Sequence, residues 1–229
     1  MILSHKHKFI FIKTHKTAGT SLEIALSRIC GREDILTPIT LEDERHRNDL
    51  GYRGNQNYKV PHKLKNGKDL LNMILFRRRR EFYNHIPAVE IKKLIAREIW
   101  DDYYKFCFER NPFDKIISWY YWNGGETRYP SIMDFIKAGK AGEIKGFELY
   151  TINSLIVVDK VYKYEELSDA MLDITERLNL SEPLELPTIK AKGDIRKERR
   201  HYKEILTSEE VEWISETFAR EIAYFNYEF

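Results

Sequence analysis

"FIFIKTHKTAGTSLE", residues 9 to 23, begins with four apolar residues, passes through a loop with lysines on both sides of a histidine, and ends in a small-residue turn running into Leu22. A short continuous apolar run is the pattern of a strand buried on both faces, so Phe9–Ile12 predicts a strand of a covered, parallel sheet. Leu22, Leu26 and Ile29 repeat at helical spacing, and Gly31 is placed to end that helix. The unit is strand, loop, helix, with Lys16, Gly19, Thr20 and Ser21 at the joint. A helix N-terminus presents unpaired backbone N–H groups and the positive end of the helix dipole, which together suit an anion. Gly19 permits close approach of the backbone to a ligand, Thr20 and Ser21 add hydroxyl donors, and Lys16 brings a mobile cation to the same seat. The plainer alternative makes Lys13 and Lys16 solvated loop residues and Thr20 a helix cap. A magnesium-nucleotide loop would place its lysine directly before Ser or Thr and pair it with a strand ending in Asp; the chain has neither.

A second unit of the same kind follows. "YKFCF" reads as a buried strand, and in "ERNPFDKIISWYYW" Asn111 can cap a helix whose first position suits Pro112. Arg110 then stands at the carboxyl end of the strand and Ser118 about two turns into the helix. "DKVYKY", residues 159 to 164, predicts a third strand, followed by a helix with Leu167, Met171, Ile174 and Leu178 on one face. "AVEIKKLIAREIWDDYY" predicts one amphipathic helix before the second strand, and a capping box from Thr207 to Glu210 opens a last helix with Val211, Ile214, Phe218 and Ile222 as its stripe. Strands alternating with helices predict an α/β fold with a mainly parallel central sheet flanked by helices, in one domain over residues 1–229, with irregular insertions near 32–68 and 183–200. Ligands of such folds sit beyond the carboxyl ends of the strands, where both loops fall.

Composition narrows the function. Lysines and arginines number 38 against 36 acids, and a net charge of +2 gives no case for nucleic acid as a partner on bulk electrostatics. Cys30 and Cys107 form no CxxC or Cys/His cluster, so neither a disulfide framework nor a metal site is expected. No apolar stretch has the length of a signal h-region or a membrane span, which points to a cytoplasmic protein. The run Arg77–Arg80 fits a solvated face, an acidic acceptor such as a uronate-bearing or sulfated glycan, or nucleic acid, in that order. Tyr120, Tyr121 and Trp122 fit a core better than a sugar platform.

"HKTAGTSLE" resembles the 5′-phosphosulfate loop of sulfotransferases that use 3′-phosphoadenosine 5′-phosphosulfate (PAPS), and "FCFERNPFDKIISWYY" resembles their 3′-phosphate strand-loop-helix. "VYKYEEL" and "FAREIAYFNYEF" are similar to segments of the carbohydrate-type branch and its bacterial relatives. The resemblance implies a P-loop-like sulfotransferase fold, with PAPS as sulfuryl donor, 3′-phosphoadenosine 5′-phosphate (PAP) as product, no metal, and a hydroxyl-bearing acceptor, either an acidic glycan or a small molecule. It implies that Lys16 contacts the bridging or sulfuryl oxygens and that Thr17, Ala18, Gly19, Thr20 and Ser21 hold the 5′-phosphate. Arg110 and Ser118 would hold the 3′-phosphate, and the basic stretch containing Arg199 and Arg200 would close over it. On the residues alone, Arg110 could instead pair with Glu109 or Asp114, and Ser118 could be a tolerated helix serine. Glu109 departs from the family, which has an apolar residue there.

Transfer to a hydroxyl needs a base. "HIPA" resembles a stretch upstream of the 3′-phosphate motif in bacterial members, which implies His85 as that base, with His62 next and His15 beside the loop to pack or orient. His5 and His7 fall in a basic tail, and Glu165 of "KYEEL" is placed to orient a loop.

Overall fold

The computed structural model describes residues 1–60, 80–187, 198 and 200–229. The chain builds an α/β structure on a mixed five-stranded sheet. β1 (Ile2–Ser4) and β2 (Phe9–Ile12) form an antiparallel hairpin, and β3 (Ile35–Leu36) pairs antiparallel on the outer side of β1. β4 (Tyr104–Glu109) runs parallel to β2, with Ile12 opposite Cys107. A strand at Lys160–Lys163 extends β4 in parallel, with Lys163 opposite Glu109.

Both faces of the central strands are covered, which is why β2 and the centre of β4, residues 106–108, read as continuous apolar runs rather than alternating ones. Phe9, Phe11, Phe106 and Phe108 enter one core cluster with Leu22, Leu26, Met171 and Ile174. Ile10, Ile12 and Cys107 enter a second on the opposite face, with Ile86, Ile91, Trp100 and Tyr150. The alternation along each strand sends neighbouring side chains into different layers.

The helices that position the loops begin directly after the parallel strands. α1 (Gly19–Ser27) follows β2 through the lysine loop. A second helix, Pro112–Trp122, follows β4, with Asn111 Oδ1 accepting the Phe113 N–H at 3.1 Å and Pro112 at its start, as the sequence predicts. The parallel arrangement brings Lys13, Arg110 and Tyr164 to one edge of the sheet.

Several expectations change. The amino terminus is not a basic tail: Met1, Ile2 and Leu3 are buried, and His5 and His7 lie in the turn between β1 and β2. Three residues are too few to show a period, so only pairing reveals this strand. Within the stretch expected to be irregular, α2 (Leu41–Asp49) is helical and capped by the Thr40 side chain. Its sequence is polar apart from Leu41, which is exposed, so it carries no apolar stripe to signal a helix. Gly31 does not close α1, which stops at Ser27; the Gly31 N–H instead donates to Asp34 Oδ2 at 2.8 Å. The helix expected from Ala88 onward is two, α3 (Ala88–Leu94) and α4 (Arg97–Asp102), with Ile95 and Ala96 extended between them. That break lets Ile91 and Trp100 reach the same core cluster. The last helix is likewise divided at Phe218, whose φ of −110° and ψ of 26° separate Ser208–Thr217 from Ala219–Phe225. Among the described residues, no helix is long and apolar enough to cross a membrane.

Candidate functional site

The lysine loop is shaped from below by hydrogen bonds and from within by strained backbone. Thr14 Oγ1 donates to the Phe108 carbonyl and lies 2.9 Å from Thr17 Oγ1, tying the loop to β4. Thr17 is buried, so its hydroxyl braces the loop and its contribution to a ligand is its backbone. Lys16 (φ 61°) and Ala18 (φ 56°) both take the left-handed conformation, which costs a non-glycine residue on the order of 1 kcal/mol or more. Ala18 stands at the N-cap and has no capping side chain, so α1 begins with its first-turn N–H groups uncapped.

Lys13, which the sequence leaves without a role, is a buried structural cation. Its Nζ lies 2.7 Å from Glu23 Oε2 and donates to Thr20 Oγ1 at 3.1 Å. Burial alone would raise the Glu23 carboxyl, but Lys13 and the Met1 amine outweigh it and hold its pKa at about 2. The lysine stem reaches Glu23 by passing over Gly19. A Cβ at Gly19 would lie 2.6 Å from Lys13 Cγ and 3.0 Å from Cε, so glycine is needed there for packing. Gly19→Ala should therefore cost about 1–3 kcal/mol of stability, read as a lowered urea midpoint at unchanged slope. An unchanged midpoint would show that the lysine stem yields without loss.

Arg110 faces the loop from the end of β4. Its Nη1 donates to the Lys16 carbonyl at 3.0 Å, its Nε donates to Asp114 Oδ2 at 2.9 Å, and Nη2 also reaches that carboxylate. The guanidinium lies over the Tyr164 ring, 4.2 Å from its centroid. Ion pairing with Asp114 and contact with the lysine loop thus occur together. Glu165 accepts the Asn111 N–H at 2.8 Å, fixing the backbone just after Arg110 and orienting this loop.

Along the helix Pro112–Trp122, Asp114, Ser118 and Trp122 recur at four-residue spacing on one face. Asp114 holds Arg110 at one end of this stripe, and Trp122 lies under the Lys16 ammonium, 4.6 Å from ring centroid to Nζ, at the other. Ser118 stands between them, half-buried. Trp122 is 39% exposed, so it is not the core residue its setting suggests, whereas Tyr120 is buried.

Glu109 does not touch the loop's open side. It is buried and paired with Lys115 Nζ at 2.6 Å, accepts the Tyr150 hydroxyl at 3.1 Å, and receives the Arg110 N–H at 3.0 Å. A Cβ at Gly146 would crowd the ends of the Lys115 and Glu109 side chains, so glycine there leaves room for the pair.

His85 joins the loop from the turn before α3, on left-handed backbone (φ 58°), with Nδ1 3.0 Å from the Lys13 carbonyl. A carbonyl only accepts, so Nδ1 carries the ring proton and Nε2 the lone pair. Burial, then His15 and Lys13, push the His85 pKa down to about 3. His15 lies against it with ring centroids 4.2 Å apart. The structure thus brings together Lys16, Thr17, Ala18, Gly19, Thr20, Ser21, Arg110, Ser118 and His85 around one strand edge. Arg200 is exposed and paired with Glu198 at 2.7 Å. Arg199 and His62 lie outside the described residues, as do Arg77, Arg78 and Arg79 of the arginine run. Trp122 escapes sequence reasoning because an aromatic beside Tyr120 and Tyr121 reads as core, and Tyr164 because it reads as the end of a strand; the cations stacked on them reveal their place.

The model of the Sulfotransferase family matches residues 1–228. The chain is 29% identical over 106 residues to an uncharacterized protein of Archaeoglobus fulgidus, covering 44% of this chain and 88% of that protein. Among solved structures it matches mouse sulfotransferase SULT7A1 complexed with PAP, at 12% identity and a TM-score of 0.44, over 96% of this chain and 86% of that one.

Proposed function

Because this chain belongs to the sulfotransferase family, we propose that it moves a sulfuryl group from PAPS to the hydroxyl of a carbohydrate or small-molecule acceptor by in-line displacement without a metal bridge. Family membership supports sulfuryl transfer in general; the donor, the acceptor and the residue roles rest on the site. The observation that carries the reading is the meeting of Lys16 and Arg110 at the uncapped start of α1, joined by the 3.0 Å hydrogen bond from Arg110 Nη1 to the Lys16 carbonyl. A seat for anions with two cations on strained, braced backbone suits a donor carrying two phosphate groups.

Bound there, the donor supplies an activated sulfuryl group. The Gly19–Ser21 backbone and the Thr20 and Ser21 hydroxyls would bind its 5′-phosphate, and Gly19 keeps that surface open by accommodating the lysine stem beneath it. Arg110 and Ser118 would bind the 3′-phosphate. Two guanidinium nitrogens contact Asp114, so the phosphate shares or displaces that carboxylate. Lys16 offsets negative charge growing on the leaving phosphate. His85 Nε2 takes the acceptor's hydroxyl proton, while the Lys13 carbonyl holds Nδ1–H.

Calorimetry with PAP, with and without magnesium, tests the donor. The expected result is micromolar or tighter binding, on the order of −8 kcal/mol or better, that magnesium leaves unchanged. No PAP binding, together with magnesium-dependent binding of adenosine triphosphate, would overturn the reading in favour of phosphoryl transfer. PAP binding without transfer to any acceptor of a sugar, phenol and alcohol panel would make the chain a silent nucleotide-binding module.

A further inference from the structure

His15 and His85 form a built pair of imidazoles, and the proposed chemistry uses only one of them. The segment before the short helix Phe147–Tyr150 clasps His15 twice: the His15 N–H donates to the Lys145 carbonyl at 3.1 Å, and the Lys145 N–H donates to His15 Nδ1 at 3.2 Å. A ring nitrogen that accepts an amide N–H carries its lone pair, so the proton of neutral His15 sits on Nε2. His85 holds the opposite tautomer, with its proton on Nδ1 against the Lys13 carbonyl. The two rings meet edge to face at 76°, and Trp119 packs on His15 with centroids 5.3 Å apart.

That single hydrogen bond cannot by itself keep the His85 ring from turning about its Cβ–Cγ bond, a broad and shallow rotation for an imidazole. His15 packs against that ring, with centroids 4.2 Å apart. We propose that His15 is a positioning residue: anchored by Lys145 and Trp119, its ring confines that of His85 so that Nδ1–H stays on the Lys13 carbonyl and the Nε2 lone pair stays turned to the acceptor. His15 itself stays neutral and does not compete for the proton. Burial first, then Lys115 from the helix Pro112–Trp122, Lys145 from the clasping segment, and Lys16 and Lys13 from its own loop lower its pKa to about 4. His85 is faced by His15, Lys13 and the Met1 amine.

This inference rests on the reading of His85 as base, and its test is built to separate the two. The ring nitrogens of 15N-histidine-labelled protein at neutral pH report the His85 tautomer without any turnover, in wild type, His15→Ala and His15→Phe. The alanine chain should lose the Nδ1–H pattern to a mixture of tautomers and lose about 10- to 100-fold in kcat, with the PAP dissociation constant within about twofold. Phenylalanine keeps a flat ring against His85 without its nitrogens, so His15→Phe should retain the Nδ1–H pattern and kcat within about fivefold of wild type. His15→Leu serves as the ring-less variant if the alanine chain does not fold. An unchanged His85 tautomer in the ring-less variant overturns the inference, as does an equal kcat loss in His15→Ala and His15→Phe, which would make the His15 nitrogens chemical participants. Should His85→Ala retain full activity, the base reading fails, and the tautomer comparison alone decides for or against the role of His15.

Discussion

On the proposed reading, His85→Ala should lower kcat by about 10²- to 10⁴-fold, the range a positioned general base contributes, and leave PAP binding within about threefold of wild type. Its ring meets the lysine loop through Nδ1 on the Lys13 carbonyl and edge to face against His15, ahead of the Gly19–Ser21 turn, so removing it should take away the proton acceptor without opening the proposed phosphate seat. His85→Gln, which can still donate to that carbonyl, should be as slow as His85→Ala, because the missing function is the Nε2 lone pair. The pH dependence follows from the sign of the shift. Activity requires the neutral ring, so the rate falls as pH falls through its pKa. In the free protein that pKa is about 3, lowered by burial first and then by His15 and Lys13. The acid limb of kcat/KM for the donor should therefore lie well below the ordinary histidine value. The limb of kcat should stand higher, because a bound polyanion stabilises the imidazolium that forms beside it. A full-rate His85→Ala enzyme, or coincident limbs near pH 6.5 in both profiles, would assign the proton to another group.

Lys16→Ala should lower kcat by about 10²- to 10³-fold, the loss expected when one preorganised charge that meets developing negative charge is removed. PAP affinity should fall less than tenfold, because PAP lacks the sulfuryl group and, on the proposed reading, its phosphates would have other partners in the Gly19–Ser21 backbone and Arg110. Lys16 also carries two structural duties. Its carbonyl accepts Arg110 Nη1, and its ammonium lies over the Trp122 ring. Alanine retains the carbonyl and bears the same left-handed strain, so the Arg110 contact is preserved. Lys16→Met, which keeps an apolar stem against Trp122, should be nearly as slow as alanine if charge is what matters. A kcat within threefold of wild type in both variants would remove Lys16 from the chemistry.

Much of the scaffold is legible without coordinates because its signals are local. Phe9–Ile12 is apolar on both faces, the strand at 104–109 has an apolar centre at 106–108, Asn111-Pro112 announces a helix start, and Thr207 with Glu210 closes a capping box. The lysine loop is legible for the same reason, since an anion seat needs small residues and a cation next to a helix start, and these are contiguous in the chain. What contradicts expectation lacks an apolar period to announce it: the polar helix Leu41–Asp49, marked locally by its Thr40 cap and acidic first turn, the strand Ile2–Ser4, and the breaks at Ile95 and Phe218, where packing rather than propensity sets the boundary.

By itself the sequence determined the order of strands and helices around the loops, the family resemblance and the residue types of the lysine loop. Only the tertiary structure decided that Lys13 is a buried counter-charge to Glu23 rather than part of the ligand's surroundings, and that Glu109 pairs with Lys115. It also decided that Trp122 and Tyr164 lie against Lys16 and Arg110, and that His15 and His85, seventy positions apart in the chain, share one contact. The physical reason is reach. Propensity and periodicity act over a few neighbouring residues, whereas the pairing of buried charges, the stacking of cations on rings and the tautomer of an imidazole depend on partners that only the parallel sheet brings to one edge.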